Sequence, residues 1–142
     1  MSGFLENYGA GEEQRSRWIK RTVLAALILA ALGTTAYFLL RNYREVRQAK
    51  RFFELLDRRD YAGAYALWGC TEESPCKHYT LEKFMEDWGP QSAHANTAER
   101  KITKTRGCKD GVIVEVQFGS NPPDYLWVDR QTRNLGFAPW PV

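Results

Sequence analysis

The sequence predicts an α+β protein, with a transmembrane helix near its N-terminus followed by one small domain of three helices and an antiparallel sheet. Three observations predict this class. Residues 22–40 are an apolar run without a charge, apolar residues recur at three- and four-residue steps over residues 46–88, and residues 112–137 change to alternation broken by turns. At 142 residues, a helix and tail of about forty leave room for one modest core.

The membrane prediction depends on residues 22–40 (TVLAALILAALGTTAYFLL), nineteen residues with apolar side chains all round the helix. A rise of about 1.5 Å per residue gives about 28 Å, close to the ~30 Å of a bilayer's hydrocarbon core. Trp18 and Tyr37 lie near its two ends, where aromatic rings favour the headgroup layer. We predict a mobile tail at residues 1–21, a transmembrane helix at 22–40 and a folded domain at 41–142.

A cleaved signal peptide is the alternative reading of the same segment. Val23 to Leu32 would be its apolar region and Thr34-Thr35-Ala36 its small-residue cleavage site. The preceding tail is 21 residues long, however, and the apolar run continues to Leu40. These two features favour an uncleaved anchor.

Two signals disagree about orientation. Basic residues are fewer before the helix than after it, which would keep the domain in the cytoplasm. Cys70 and Cys76, separated by five residues in a turn-rich loop, have a spacing that closes a local disulfide, and disulfides persist in oxidising compartments. Long translocated domains also obey charge less strictly. We predict a cytoplasmic tail and an extracytoplasmic domain. The basic residues are Arg15, Arg17, Lys20 and Arg21 before the helix, and Arg41, Arg44, Arg47, Lys50, Arg51, Arg58 and Arg59 after it.

Three helices are predicted after the membrane segment. Asp60 is the predicted N-cap of a second helix over residues 61–68, which Gly69 ends. Thr80 is the predicted N-cap of a third helix over residues 81–88. The first helix is predicted from the apolar spacing of Val46, Ala49, Phe53 and Leu56.

Four strands are predicted from the change to alternation. The clearest signal is the spacing of Val112, Val114, Val116 and Phe118, which predicts a strand with one buried face. Weaker or shorter strands are predicted at residues 101–106, 125–128 and 135–137, joined by a hairpin at 107–111 and turns at 121–123 and 129–134.

Several short segments of the domain carry a family resemblance. They are Phe52-Phe53-Glu54-Leu55-Leu56, Asp60-Tyr61-Ala62, Ala64-Tyr65, Trp68-Gly69-Cys70, Phe84, Asp87-Trp88-Gly89-Pro90 and Leu135-Gly136-Phe137-Ala138-Pro139-Trp140-Pro141. Through these segments, the part of the chain from about residue 50 to residue 142 resembles uncharacterised bacterial membrane-anchored proteins with a nuclear transport factor 2-like (cystatin-like) domain.

The resemblance implies a curved antiparallel sheet wrapped around a long first helix, enclosing a cone-shaped pocket, in a domain anchored to the bacterial inner (plasma) membrane and exposed to the periplasm. The family pattern has an early strand where this chain has the Cys70 to Cys76 loop, and the sheet is short. We therefore expect the pocket to be shallow or filled. This fold hosts isomerases, dehydratases, transport adaptors and secretion scaffolds, so it does not specify an activity.

The three cysteines leave four schemes open: a zinc site, a Cys70 to Cys76 disulfide, a bond from Cys108 to one of the other two, and free thiols. Cys70, Cys76, His78 and Cys108 have the ligand count of a structural zinc site, but the five-residue gap and the cysteine-x-histidine spacing are atypical. A Cys70 to Cys76 disulfide is favoured. Cys108 is then buried and inert or paired to another chain, unless it pairs with one of the other two. No metal or other cofactor is predicted.

An enzyme would need a catalytic base. Related isomerase sites use a carboxylate and a tyrosine in the pocket, and Asp87 with Tyr65 or Tyr79 is the nearest equivalent. Asp87 lies at a predicted helix end, where a carboxylate more often bonds to backbone groups, so no catalytic residue is predicted. The candidate bases in the sequence are Asp57, Asp60, Asp87, Glu115 and His78.

The predicted pocket lining is aromatic: Trp68, Tyr79, Trp88 and Trp127. The competing interpretation of these side chains is a hydrophobic core, which a domain of this size needs large rings to build. The basic run at residues 41–59 is interpreted as a solvated helix face near lipid phosphates. A net charge of +3 does not favour nucleic-acid binding.

These observations together predict a non-enzymatic interaction or scaffold module on a single-pass membrane anchor. Its expected partners are the lipid bilayer and either another protein or a second copy of the chain. The alternative is a small-molecule-binding or isomerase-like enzyme that uses the pocket of the domain.

Overall fold

The computed structural model describes residues 10–96 and 98–139. Residues 1–9 of the predicted tail, and Trp140-Pro141 of the ending that carries the resemblance, lie outside the described residues. The chain separates after Arg41 into two compact units. The first contains one helix, and the second contains three helices and a sheet.

The first helix, α1, spans Ala10–Leu40. It begins well before the predicted span, because Glu12 and Glu13 lie in its first turn, where the helix dipole favours negative charge. Part of the predicted tail is therefore helical. In the described part of the chain, one helix is long and apolar enough to cross a membrane, and α1 supplies its apolar residues. The side chains of α1 from residue 11 to residue 40 are exposed.

Hydroxyl groups inside α1 bond to its own backbone. Thr34 Oγ1 donates to the Ala30 carbonyl at 2.7 Å, and Thr35 Oγ1 donates to the Ala31 carbonyl at 2.8 Å. A threonine that bonds to the carbonyl four residues earlier presents its methyl group to the surroundings and satisfies its hydroxyl internally. The apolar helix therefore carries these two polar residues without an unsatisfied hydroxyl.

Helices α2 (Tyr43–Asp57), α3 (Tyr61–Ala66) and α4 (Leu81–Trp88) form one layer of the second unit. Both predicted caps are confirmed. Asp60 Oδ1 accepts from the Gly63 N–H at 2.9 Å, and Thr80 Oγ1 accepts from the Lys83 N–H at 3.4 Å. Helix α3 ends at Ala66, two residues earlier than predicted, because residues 67–69 continue as a tighter hydrogen-bonded turn that closes at Gly69 with φ +79°.

The second layer is an open antiparallel sheet in the order β1-β2-β3-β4. The strands are β1 (Arg100–Gly107), β2 (Gly111–Phe118), β3 (Asp124–Asp129) and β4 (Leu135–Phe137). The predicted α+β class and the antiparallel meander are confirmed. The register pairs Val112 with Val128 and Val114 with Leu126, so the buried residues of neighbouring strands share one face.

The core lies between this face of the sheet and the three helices. Phe52 of α2 is fully buried at its centre, and its ring lies 5.0 to 6.1 Å from the rings of Phe53, Trp68, Phe84 and Trp88. Edge-to-face pairs at these distances stabilise a core beyond the area that they bury. Aromatic rings therefore fill the space between the two layers.

A buried ion pair fixes the start of α2 to the sheet. Glu45 is 4% exposed, and its carboxylate lies 3.6 Å from the Arg130 guanidinium. Arg130 also donates from Nε to the Cys108 carbonyl at 3.1 Å and from Nη2 to Asn42 Oδ1 at 2.9 Å. One guanidinium therefore joins the beginning of the unit, the β1–β2 hairpin and the end of β3. Cys108 itself is a half-buried free thiol.

Candidate functional site

The structure brings three of the four predicted pocket residues together. Trp68 and Trp88 are 8% and 2% exposed and belong to the core, with ring centroids 6.4 Å apart. Tyr79 is half-buried and packs against Trp68 at 4.9 Å. The rings therefore pack on one another and occupy the interior where the resemblance implies a cone-shaped pocket.

Trp127 lies on the other face of the sheet. Its neighbours Leu126 and Val128 are fully buried in the core, and side chains alternate between faces along a strand. Trp127 pairs in register with Ile113, which also points away from the core. The structure therefore separates Trp127 from the other three aromatic residues.

Asp87 and Tyr79 form the carboxylate and tyrosine pair that the sequence singles out. The Tyr79 hydroxyl donates to Asp87 Oδ2 at 2.9 Å. Burial, and then the hydrogen bond to Asp87, raise the pKa of Tyr79 far above its ordinary value, so the phenol stays protonated. Each group satisfies the other, and this contact fixes the segment before α4 to the end of α4.

Tyr65 holds the cysteine loop in place, and its hydroxyl bonds to backbone groups of Tyr79 and Cys76. Its hydroxyl donates to the Tyr79 carbonyl at 2.6 Å and accepts from the Cys76 N–H at 3.3 Å. The sulfur atoms of Cys70 and Cys76 lie at disulfide distance, with their Cα atoms 5.2 Å apart. The predicted pairing of these two residues thus has the geometry of a disulfide.

A zinc site has no geometric support in the described part of the chain. Cys70 and Cys76 are joined to each other, and His78 is exposed. Across residues 10–96 and 98–139, no three histidine, cysteine, aspartate or glutamate side chains form a group that would hold a metal ion.

His94 is a residue that sequence reasoning missed. It follows α4 in a polar stretch without periodicity, and its ring stacks on Trp88 with centroids 4.6 Å apart. Nδ1 lies 2.7 Å from the Asp87 carbonyl oxygen, and Nε2 lies 2.6 Å from Asp124 Oδ2 at the start of β3. Asp124 is 30 residues away along the chain, so no local spacing could reveal the pair.

The two contacts of His94 restrict its chemistry. A carbonyl oxygen only accepts, so Nδ1 donates to Asp87. Nε2 faces a carboxylate oxygen of Asp124 at 2.6 Å. Because both ring nitrogens are engaged, neither is open to a metal ion or a substrate. His94 instead joins the loop after α4 to the sheet.

A small cleft of about 220 Å³ adjoins Trp88 and His94 and is also lined by Asp57 and Arg59. Asp57 is held by a bidentate ion pair, since Arg100 donates to its two carboxylate oxygens at 3.0 and 2.9 Å. The same guanidinium lies 4.4 Å from the centre of the Phe53 ring. These contacts fasten β1 to α2. The Asp57 carboxylate and the His94 ring that line the cleft therefore already have protein partners.

The outer face of the sheet carries partly exposed aromatic and charged side chains. Tyr125 and Trp127 of β3 and Glu115 of β2 lie beside Ile113, which is itself buried, and β1 adds Lys104 at the edge. Part of this face forms a concavity of about 440 Å³. The three helices pack on the opposite face of the sheet, so they do not cover this one.

Comparison of the chain with protein-family models, with curated proteins and with solved structures found no match.

Proposed function

We propose that the protein is a single-pass protein of the bacterial inner (plasma) membrane. Its C-terminal domain, residues 41–142, faces the periplasm and acts as a non-enzymatic interaction or scaffold module with a nuclear transport factor 2-like fold. One observation carries the proposal: an exposed helix with nineteen consecutive charge-free residues is joined to a unit with two cysteines at disulfide distance.

The exposure of α1 supports membrane insertion. Leu27, Leu32 and Leu39 are 62%, 62% and 75% exposed. Burying a leucine side chain contributes roughly 1.5 to 3 kcal/mol, so leaving such a helix in water would forgo a large stabilisation. A bilayer supplies an apolar surrounding on every side of the helix, which its uniform apolar surface requires.

The filled interior and the open sheet face support an interaction role. Trp68 and Trp88 occupy the space between the layers, whereas Tyr125 and Trp127 are partly exposed on the outer face. Tyrosine and tryptophan are enriched where proteins bind each other. We propose that this outer face receives a periplasmic protein partner or a second copy of the chain.

The alternative, a small-molecule-binding or isomerase-like enzyme, has one observation in its favour. Tyr79 and Asp87 are the residue types that such sites use, and they lie 2.9 Å apart. The hydrogen bond joins these two groups to each other, and the Trp68 ring packs directly on Tyr79. The interaction module is therefore the function that the geometry supports better.

Thiol alkylation in native membranes tests the orientation. The full chain is expressed in bacteria, denatured and alkylated with and without prior reduction, and labelled cysteines are counted by mass spectrometry. We expect one labelled cysteine, Cys108, before reduction and three after it. A Cys108→Ser variant is the control and should show no label before reduction.

Two outcomes would overturn the proposal. If all three cysteines are labelled without reduction, the domain lies in a reducing compartment and the orientation is reversed. If the chain leaves the membrane fraction on alkaline extraction, α1 does not span the bilayer.

A further inference from the structure

A basic groove runs along the solvent side of α2 and has a volume of about 640 Å³. Its charged lining consists of five basic side chains and one carboxylate: Arg44, Arg47, Lys50, Arg51, Arg133 and Glu54. Four of the basic residues come from α2, and the fifth comes from the turn between β3 and β4.

Helical periodicity explains why the α2 cations converge. The core side of α2 is formed by buried residues such as Ala49, Phe52 and Leu56. Residues on the opposite side, including Arg44, Arg47 and Arg51, follow one another at three- and four-residue steps and are exposed. Within the part of the chain that the structure describes, these three side chains have no ion pair. The groove therefore presents concentrated positive charge to solvent.

A hydrogen-bonded turn places Arg133 at the groove. Its backbone has φ 62°, a conformation that is costly for a residue with a side chain. The turn holds it there, because Asp129 Oδ1 accepts from the Gln131 and Thr132 N–H groups at 2.8 Å, and these bonds lower the pKa of Asp129. Gln48 Nε2 of α2 also donates to the Arg133 carbonyl at 3.2 Å.

Arg133 also has a donor without an acceptor. Its Nε is buried and has no hydrogen-bond partner among the described residues. Buried donors are nearly always paired in native proteins. The Arg133 side chain also lines the groove, and phosphate oxygens suit the fork geometry of an arginine.

We propose that this groove binds the phosphate-bearing headgroup of an anionic phospholipid in the bilayer that α1 spans. The inference rests on the proposed membrane insertion of α1. Arg44 is four residues beyond Leu40, so even an extended chain keeps it within about 14 Å of the end of the helix. The headgroup layer is about 5 to 7 Å thick and the Debye length is about 8 Å, so Arg44 lies within electrostatic range of the lipid phosphates.

Sequence position favours a lipid over an acidic peptide or a nucleic acid. The groove begins at Tyr43, three residues after the end of α1, and an aromatic ring followed by basic residues is typical of a membrane interface. Each basic residue near an anionic leaflet raises the affinity for that leaflet about fivefold. The short connection to α1 therefore tethers the groove near the lipid headgroups around that helix.

The proposal is tested by native mass spectrometry of the full chain in detergent, titrated with phosphatidylglycerol or phosphatidylcholine. The groove variant is Arg47→Gln/Lys50→Gln/Arg51→Gln. The matched control, Arg58→Gln/Lys77→Gln/Lys83→Gln, removes the same charge at exposed positions outside the groove. We expect the affinity of the groove variant for phosphatidylglycerol to be at least tenfold lower than that of the wild type. The affinity of the control variant should lie within twofold of the wild-type value. Phosphatidylcholine should not bind the groove of any of the three proteins.

Equal binding of phosphatidylglycerol to the groove variant and the wild type would overturn the proposal. Soluble glycerol phosphate that binds as tightly as the lipid would also overturn it and assign the groove to a soluble anion. Flotation with neutral phosphatidylcholine vesicles keeps this failure distinct from failure of the proposed function. All three proteins retain α1 and should float alike, whereas a wild-type chain that does not float contradicts membrane insertion itself.

Discussion

Tyr79 shows what burial does to a single side chain. The pKa of its phenol is raised above the ordinary 10.0, first by burial and then by Asp87. An unfolded tyrosine ionises near pH 10, whereas the folded one stays protonated. The contribution of Tyr79 to stability is therefore fully present below pH 10 and is lost as the pH rises above it.

Tyr79→Phe tests this account. The variant loses the hydrogen bond to Asp87 and should be about 1 kcal/mol less stable than the wild type at pH 7. It should also lose less stability than the wild type between pH 9 and pH 11. Urea unfolding of the full chain in detergent, followed by near-ultraviolet circular dichroism, measures both quantities. Tyr43→Phe, at an exposed position, is the control, and equal alkaline loss in wild type and Tyr79→Phe would contradict the account.

At the residue scale, sequence reasoning succeeds where the partner is local. Asp60 and Thr80 were predictable as caps because a cap bonds to an N–H group three residues ahead. The bonds of His94 to Asp124, and of Glu45 to Arg130, join residues far apart in the chain. No periodicity marks such pairs, because they depend on the register of the finished sheet against the helices.

At the scale of elements, the end of α2 is a Schellman motif with an arginine where glycine is usual. The Asp60 N–H donates to the Leu55 carbonyl at 2.9 Å, and the Arg59 N–H donates to the Leu56 carbonyl at 3.0 Å. Arg59 has φ 58°. A side chain in this left-handed conformation costs roughly 1 to 2 kcal/mol.

Arg59→Gly should therefore stabilise the folded domain. We expect a gain of about 0.5 to 1 kcal/mol, since the relief of backbone strain exceeds the extra entropy of glycine in the unfolded chain. Thermal unfolding of the full chain measures it. Arg58→Gly, at the neighbouring C-cap with ordinary helical φ −82°, is the matched control and should destabilise the domain. A loss of stability in Arg59→Gly would show that its side chain matters more than its backbone.

Element types were predictable because each has its own period, and element ends were less so. The alternation of valines in β2 and the caps of α3 and α4 gave these elements correctly. The start of α1 was missed because residues 10–21 have no apolar stripe and gain helical stability from local charge, as in the Glu13–Arg17 ion pair at 3.7 Å. Such surface effects are each a few tenths of a kcal/mol.

At the scale of the whole molecule, placing the aromatic residues required the three-dimensional fold. Trp68, Trp88 and Trp127 are equally aromatic in the sequence, yet two lie in the core and one lies on the outer face of the sheet. The position of Trp127 follows from the alternation of β3 once Leu126 and Val128 are known to face the helices. The sequence alone did not decide which face of this short strand meets the core.

The segment that leads into the cysteine loop is bonded to the sheet, so the disulfide should stabilise more of the domain than the loop alone. The Leu135 N–H of β4 donates to the Leu67 carbonyl at 2.9 Å, just before Cys70. A crosslink with a sequence separation of 6 contributes about 2 kcal/mol in the chain-entropy model.

A reductant should lower the Tm of the full chain by roughly 10 °C. Cys70→Ser/Cys76→Ser should have the lower Tm already and not respond to reductant, whereas Cys108→Ser should respond like the wild type. A wild-type Tm that reductant leaves unchanged would show that the crosslink does not stabilise the fold.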